Sequence, residues 1–391
     1  MPVVRVVARV AEVEEVEEVA RKTECSVQLC AMSMQQACAG RALRRVVVVL
    51  LTLVVAAGWV HADSVPPAPT CPPVAQVPTE AQIREGAAKY ARDRGVLWRI
   101  TRDGHSSYLF GTIHVGRFEW LFPGPVLGNA LRSSEVLALE LDPTDPEIQK
   151  KMQTALTGSA PAPAPAPVPG ALPGTGAGPP GPAAPGSAAP GSADASFAAR
   201  VARQTELACL PAATLSPLPP FMQAMTLNLL VARSAGLDAS YAQEFLLAGM
   251  ARSAQRRIVS LETPELQAAI LLPESPERAQ QMAEDMLSQL EQGTTLQLIK
   301  RLADIWENGD LAQLETYEQW CKCVEGDADR EYLHALNDGR NQHIAEGIDK
   351  LHAEGNRVFA AVGALHMSGT HALPKLMATL GYSVERMSYA P

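Results

Sequence analysis

Two short stretches of the chain combine a glycine and a histidine at the same spacing. Gly111-Thr112-Ile113-His114 and Gly363-Ala364-Leu365-His366 are both G-x-x-H, and each closes an apolar run that reads as a β-strand. A glycine at a strand end lets the backbone turn or come close to a ligand. The histidine then projects beyond the carboxyl end of its strand, where α/β sheets usually place their sites. One such motif says little, because a strand-end histidine is more often a surface or satisfied core residue. Two in equivalent settings point to a pair that folding brings together. Neutral imidazole is the commonest metal ligand. Two histidines with one carboxylate form an ordinary catalytic set that leaves a position open for water. Metal-assisted hydrolysis is the chemistry such a set serves.

Few carboxylates are candidates for the third member. Glu140 interrupts the apolar strand Leu137-Ala138-Leu139-Glu140-Leu141, where an unpaired charge is costly to bury. It is therefore on a solvent-facing edge, paired, or metal-bound. Asp142 follows on the same face by the two-residue period of a strand. Glu262 ends another strand in Leu261-Glu262-Thr263, and reads equally well as a cap or loop carboxylate. Either Glu140 or Glu262 could be the general base. Arg340-Asn341, on an expected helix, could clamp a carboxylate or polarise a carbonyl. From the residues alone, a surface salt bridge is the plainer account of Arg340. His371 is an auxiliary ligand or a surface residue, and His105 falls in a hairpin turn open to solvent.

The elements that must position these groups alternate between strand and helix. Leu97 to Thr101 and Tyr108 to Ile113 form a hairpin around Asp103-Gly104. Val136 to Leu141, Ile258 to Leu261, Val358 to Val362 and Tyr382 to Met387 are further strands. Helical spacing covers 125–133, 197–210, 220–234 and 240–256, and helices run from the Ser275-Pro276 start to about Glu354 with a break at Asn308-Gly309. The pattern predicts an α/β fold: a mixed sheet, a helical middle region, and one catalytic domain assembled from both halves of the chain.

That domain is expected over residues 80–391. A Pro/Ala/Gly stretch at 158–194 interrupts it; such a composition cannot bury a core and reads as an inserted loop. Arg41, Arg44 and Arg45 precede an apolar run from Val46 to Ala57 and a V-H-A site at Val60-His61-Ala62. These are the marks of an export signal over 32–62, followed by a Pro-rich spacer over 63–79. An uncleaved signal would instead tether the protein to the inner membrane. Residues 1–31 then read as an extension from a start codon taken too early. The expected compartment is the periplasm or another exported location. Of seven cysteines, Cys71, Cys209, Cys321 and Cys323 fall in the mature part, where an oxidising compartment permits disulfides. Cys321 and Cys323 look too close in sequence for an ordinary bridge to each other. The net charge of −9, spread along the chain, offers nucleic acid no basic footprint. A peptide or small molecule is the expected substrate, and nothing in the residues sets an oligomeric state.

The motifs, in their order and spacing, resemble the TraB/GumN (TraB/PrgY) family. They run from Leu97-Trp98-Arg99-Ile100 and Gly111-Thr112-Ile113-His114-Val115-Gly116 through Leu139-Glu140-Leu141-Asp142, Gly236-Leu237-Asp238 and Leu261-Glu262-Thr263 with Gln267. Trp306-Glu307-Asn308-Gly309-Asp310, Arg340-Asn341 and Val362-Gly363-Ala364-Leu365-His366-Met367-Ser368-Gly369 complete them. The resemblance implies a Tiki/ChaN-like fold and, by likeness to Tiki-type metalloproteases, peptidase chemistry with manganese or cobalt, zinc being the next choice. His114 and His366 would then be metal ligands. Glu140 or Glu262 would be third ligand or general base, and Arg340 would hold substrate or an oxyanion. The fold group also implies two alternatives: a haem- or ligand-binding protein of ChaN-like type, and a non-catalytic accessory factor in envelope polysaccharide biosynthesis.

Overall fold

The computed structural model describes residues 71–157, 196–324 and 326–389. The expected extension, export signal and low-complexity insertion lie outside the described residues. Six strands form one mixed sheet: β1 Val96–Arg102, β2 His105–Thr112, β3 Val136–Leu139, β4 Arg257–Ser260, β5 Val358–Gly363 and β6 Ser383–Arg386, in the order β4-β3-β5-β2-β1-β6. β4, β3, β5 and β2 run parallel to one another, while β1 is antiparallel to both β2 and β6. The hairpin between β1 and β2 turns at Asp103-Gly104, both at positive φ (53° and 81°). That is the backbone a two-residue turn needs to match the twist of its strands.

The parallel strands are apolar on both faces, as β3 (Val-Leu-Ala-Leu) and β5 (Val-Phe-Ala-Ala-Val-Gly) show, because helices cover both sides. On one face Phe110, Leu137, Leu139 and Phe359 pack against Ala248, Ala303 and Trp306. On the other, Leu109, Val136, Ala360 and Val362 pack against Ile344, Ile348, Leu373 and Met377. The helical middle region has its own cluster of Val201, Leu215, Leu227, Leu287 and Leu290. The helix start expected at Ser275 is present, with its side chain accepting from the Arg278 N–H.

Gly111 is required by close packing. A Cβ there would lie 2.8 Å from Val96 Cγ2 and 3.0 Å from Ala364 Cα. We expect Gly111→Ala to cost about 1–3 kcal/mol of stability as an overpacking change, read from the urea midpoint; an unchanged midpoint would show that the two motifs do not pack this tightly.

The four described cysteines form two disulfides. Cys71–Cys209 fastens the extended segment before the helix Glu80–Tyr90 to the helical region. The same segment is held by Ala75 N–H on Asp238 and by Gln76 with Tyr241. Cys321 and Cys323 pair with each other, contrary to the expectation from their closeness. Lys322 between them takes a left-handed φ of 55°, which folds the chain back and sets the two Cα atoms 5.1 Å apart.

His105 also departs from expectation. It stacks on the buried His352 at 3.8 Å rather than standing in solvent. His352 Nε2 donates to the Arg102 carbonyl at 3.1 Å, so Nδ1 accepts from the Ser107 hydroxyl at 2.9 Å. Burial pushes its pKa below the ordinary 6.5; the hydrogen bond to the Arg102 carbonyl opposes this, and the charges of His105 and Arg102 add to it. Above 6.5 the imidazole is neutral in both states and its contribution is complete. As pH falls from 6.5 through the lowered folded value, only the unfolded chain takes the proton and stability is lost. The His352 contribution to the melting temperature should therefore fall on going from pH 7.5 to 5.5. His352→Gln should flatten that slope, and an equal slope in the variant would refute the assignment.

Candidate active site

The strand register lines the candidate residues up along one edge of the sheet. Thr112 of β2 pairs with Gly363 of β5, and Leu139 of β3 pairs with Ala361 of β5 and Ser260 of β4. One or two residues past these ends stand Glu140 and Glu262, joined by Glu262 N–H on the Glu140 carbonyl at 3.0 Å. His366 lies in the 3-10 turn Ala364–Met367 directly after β5, and His114 directly after β2. Four neighbouring parallel strands thus deliver Glu262, Glu140, His366 and His114 in the order β4-β3-β5-β2. Glu140 falls just beyond its strand, which stops at Leu139 and not at Leu141. The alternation that would have put Asp142 beside it therefore does not apply. Asp142 turns to Arg252 and Thr144 instead.

Each histidine has its Nδ1 tied from behind. His366 is buried, with Nδ1 2.6 Å from Asn341 Oδ1, while the Asn341 amide donates to the His366 and His371 carbonyls. Because the Asn341 oxygen can only accept, Nδ1 carries the proton and Nε2 is left as a lone pair. That Nε2 lies 3.7 Å from Glu140 Oε1. His114 is exposed, and its Nδ1 lies 3.0 Å from Glu244 Oε1, which also accepts from Thr112 Oγ1 at 2.5 Å. Its Nε2 points inward, 3.8 Å from the place a Cβ on Gly363 would occupy, with Glu140 Oε1 3.4 Å from the same place. Glu244 reaches this position because Gln243 N–H bonds the Ile113 carbonyl, and Gly116 and Asp238 exchange backbone bonds. His371 is exposed, 3.8 Å from Asp338, and takes no part.

Arg340 does not sit in a surface salt bridge. It is mostly enclosed, with 11% of its side chain exposed, and its guanidinium bridges Glu140 and Glu262, with Nε 2.8 Å from Glu262 Oε1 and Nη2 on Oε2 of both carboxylates. Gln267 closes the group, donating to Glu262 at 2.9 Å and to Glu140 at 3.2 Å. Glu262, in the loop between β4 and the helix Pro264–Leu271, is thus an engaged carboxylate and not the helix cap, which is Thr263. Glu140 Oε1 accepts the Gly363 N–H at 2.7 Å.

Electrostatics follow from this packing. Burial opposes the charge on Glu140, but the imidazoles, Arg340 and the Gly363 N–H outweigh it and hold its carboxyl at about 2. Burial lowers Arg340, and the two carboxylates more than restore it. The Glu244 carboxylate raises His114 to about 9, whereas burial pushes His366 below 6.5.

A family model described as TraB/PrgY/gumN matches residues 96–172 and 187–386. The chain belongs to the TraB/PrgY/gumN family. No curated protein and no solved structure matches it. The matched span contains His114, Glu140, Glu262, Arg340 and His366.

The donor set suits a divalent cation in chemistry. Both histidines present Nε2 with Nδ1 held by an acceptor, the arrangement that outer partners impose on metal-ligating imidazoles. The carboxylates of Glu140, Glu244 and Glu262 face Arg340 and the protonated His114, which leaves one negative charge uncompensated; a cation that displaced the His114 proton would meet two. Among the described residues, no three His, Cys, Asp or Glu side chains stand close enough to make a ready-made cluster. Binding would therefore draw His114, the exposed member, toward Glu140.

Sequence reasoning missed Glu244 and gave Asn341 no role of its own. Glu244 is an acid in the first turn of the helix Gln243–Ser253, which usually signals no more than a favourable helix dipole. Its link to His114 is purely tertiary.

Proposed function

We propose that this chain is a metal-dependent hydrolase of the cell envelope that acts on amide bonds, with esters the next choice. His114, His366 and Glu140 would hold the ion, manganese or cobalt before zinc. The observation that carries this reading is the pair of imidazoles with tied Nδ1 and inward Nε2, converging on Glu140 across neighbouring strand ends. The ion, when bound, supplies an acidified water and polarises the scissile carbonyl. Arg340, fixed by two carboxylates, keeps Glu140 ionised and oriented. The Cys71–Cys209 disulfide supports an oxidising, exported location, and no helix among the described residues is long and apolar enough to cross a membrane.

Proton transfer falls to Glu244. Both oxygens of Glu140 and of Glu262 already accept hydrogen bonds. Glu244 Oε2 is buried with no hydrogen-bond partner. Glu244→Gln keeps an acceptor for His114 but cannot take a proton, so we expect kcat to fall ~10²–10⁴-fold with metal affinity changed far less. Near-normal kcat would remove Glu244 from this role.

The test of the function is thermal stability and metal content after chelator-free purification, with manganese, cobalt and zinc added back. The wild type should bind about one ion and melt higher with it, and His114→Ala plus His366→Ala should do neither. Equal indifference to metal in both proteins would overturn the reading. A haem absorption band lost in His114→Ala would favour the ChaN-like alternative in its place.

A further inference from the structure

Two cavities open on either side of the proposed catalytic group. One, of about 350 Å³, has Leu302, Trp306, Leu333 and Leu365 in its walls. The other, of about 560 Å³, has Pro143, Ile148, Met152, Leu229, Phe245 and Ile270 in its walls. Both volumes fall within the ~300–1,000 Å³ typical of ligand sites. His114, Glu140 and Arg340 line both cavities, so the polar group is the seam between two apolar wells. Leu229 and Phe245 are 43% and 38% exposed although large and apolar. Clustered exposed apolar surface of this kind marks a binding site.

We infer that the substrate is an extended apolar peptide segment, cleaved between two large apolar side chains, one seated in each well. This rests on the hydrolase reading above. An acyl ester offers one long apolar side and a polar one, and would call for a single deep well. A peptide offers apolar side chains to both sides of the bond that meets the seam. Acidic side chains are disfavoured, since the cations lining the wells are already engaged: Arg340 by Glu140 and Glu262, and His114 by Glu244.

The experiment uses the full chain with added manganese and fluorescence-quenched peptides that differ only at the two positions flanking the scissile bond. Leu or Phe on both sides should give kcat/KM at least ~10-fold above Ser or Asp on either side. Phe245→Ala should lose the preference on one side only, and Leu302→Ala on the other, mainly through KM. Cleavage indifferent to these residues would overturn the inference while leaving the hydrolase intact. So would faster hydrolysis of p-nitrophenyl decanoate than of any peptide. If nothing is cleaved, anisotropy of the same peptides carrying one dye decides. Tighter binding of the apolar peptides, weakened by both variants, supports the two-well assignment and rejects the hydrolase; equal binding of apolar and polar peptides rejects the assignment too.

Discussion

Arg340→Ala is expected to destabilise the protein by about 3–5 kcal/mol, the loss associated with removing one partner of a buried ion pair. Glu262 has no exposed side-chain surface and Glu140 has 13%, and a single guanidinium serves both. Without it, two carboxylates face each other in the interior with only Gln267 and the Gly363 N–H as donors. Arg340→Lys should recover little, because an ammonium lacks the planar fork that reaches both partners. Replacing the whole group, as Arg340→Met with Glu140→Gln and Glu262→Gln, should recover much of the loss, since the cost lies in uncompensated charge. Chemical denaturation of the four proteins checks this. A loss below about 1 kcal/mol for Arg340→Ala, the scale of an exposed pair, would mean the clamp is solvated.

Glu140→Gln should reduce hydrolysis far more than Glu262→Gln. Glu140 borders both wells and lies nearest His366, whereas Glu262 borders neither and touches the site only through Arg340 and Gln267. Loss of an outer partner typically costs ~10–100-fold in metal affinity or activity. Glu262→Gln should fall in that range, and Glu140→Gln should exceed it by at least about tenfold on the same reasoning. Steady-state kinetics with metal titration separates the two. Equal losses would show that both carboxylates act from the same distance.

The sheet and the two histidines were legible because their signals are local. A continuous apolar run marks a strand buried on both faces, and a glycine followed by a histidine marks its end. Glu140 was legible as a break in such a run. Arg340 was misjudged because an arginine on a helix looks the same in sequence whether it meets water or two buried carboxylates. Glu244 was illegible for a deeper reason. Its partner is set by the Gly116–Asp238 exchange and the Gln243–Ile113 bond, which join segments more than a hundred residues apart. The Cys321–Cys323 bridge depended on a left-handed Lys322, which no residue preference at lysine would suggest.

The placement of β5 has a consequence for how the molecule is made. β5 lies between β3 and β2, yet it follows them in the chain by more than two hundred residues. Until it arrives, β2 and β3 share no neighbour, and the ends carrying His114 and Glu140 have nothing to hold them in register. Pairings this distant are slow to form, because chain closure precedes any gain from contact. A nascent chain therefore cannot complete its sheet, or acquire activity, before nearly all of it has been synthesised. On the exported reading proposed above, that delay would keep the chain fit for transport and would confine its chemistry to the far side.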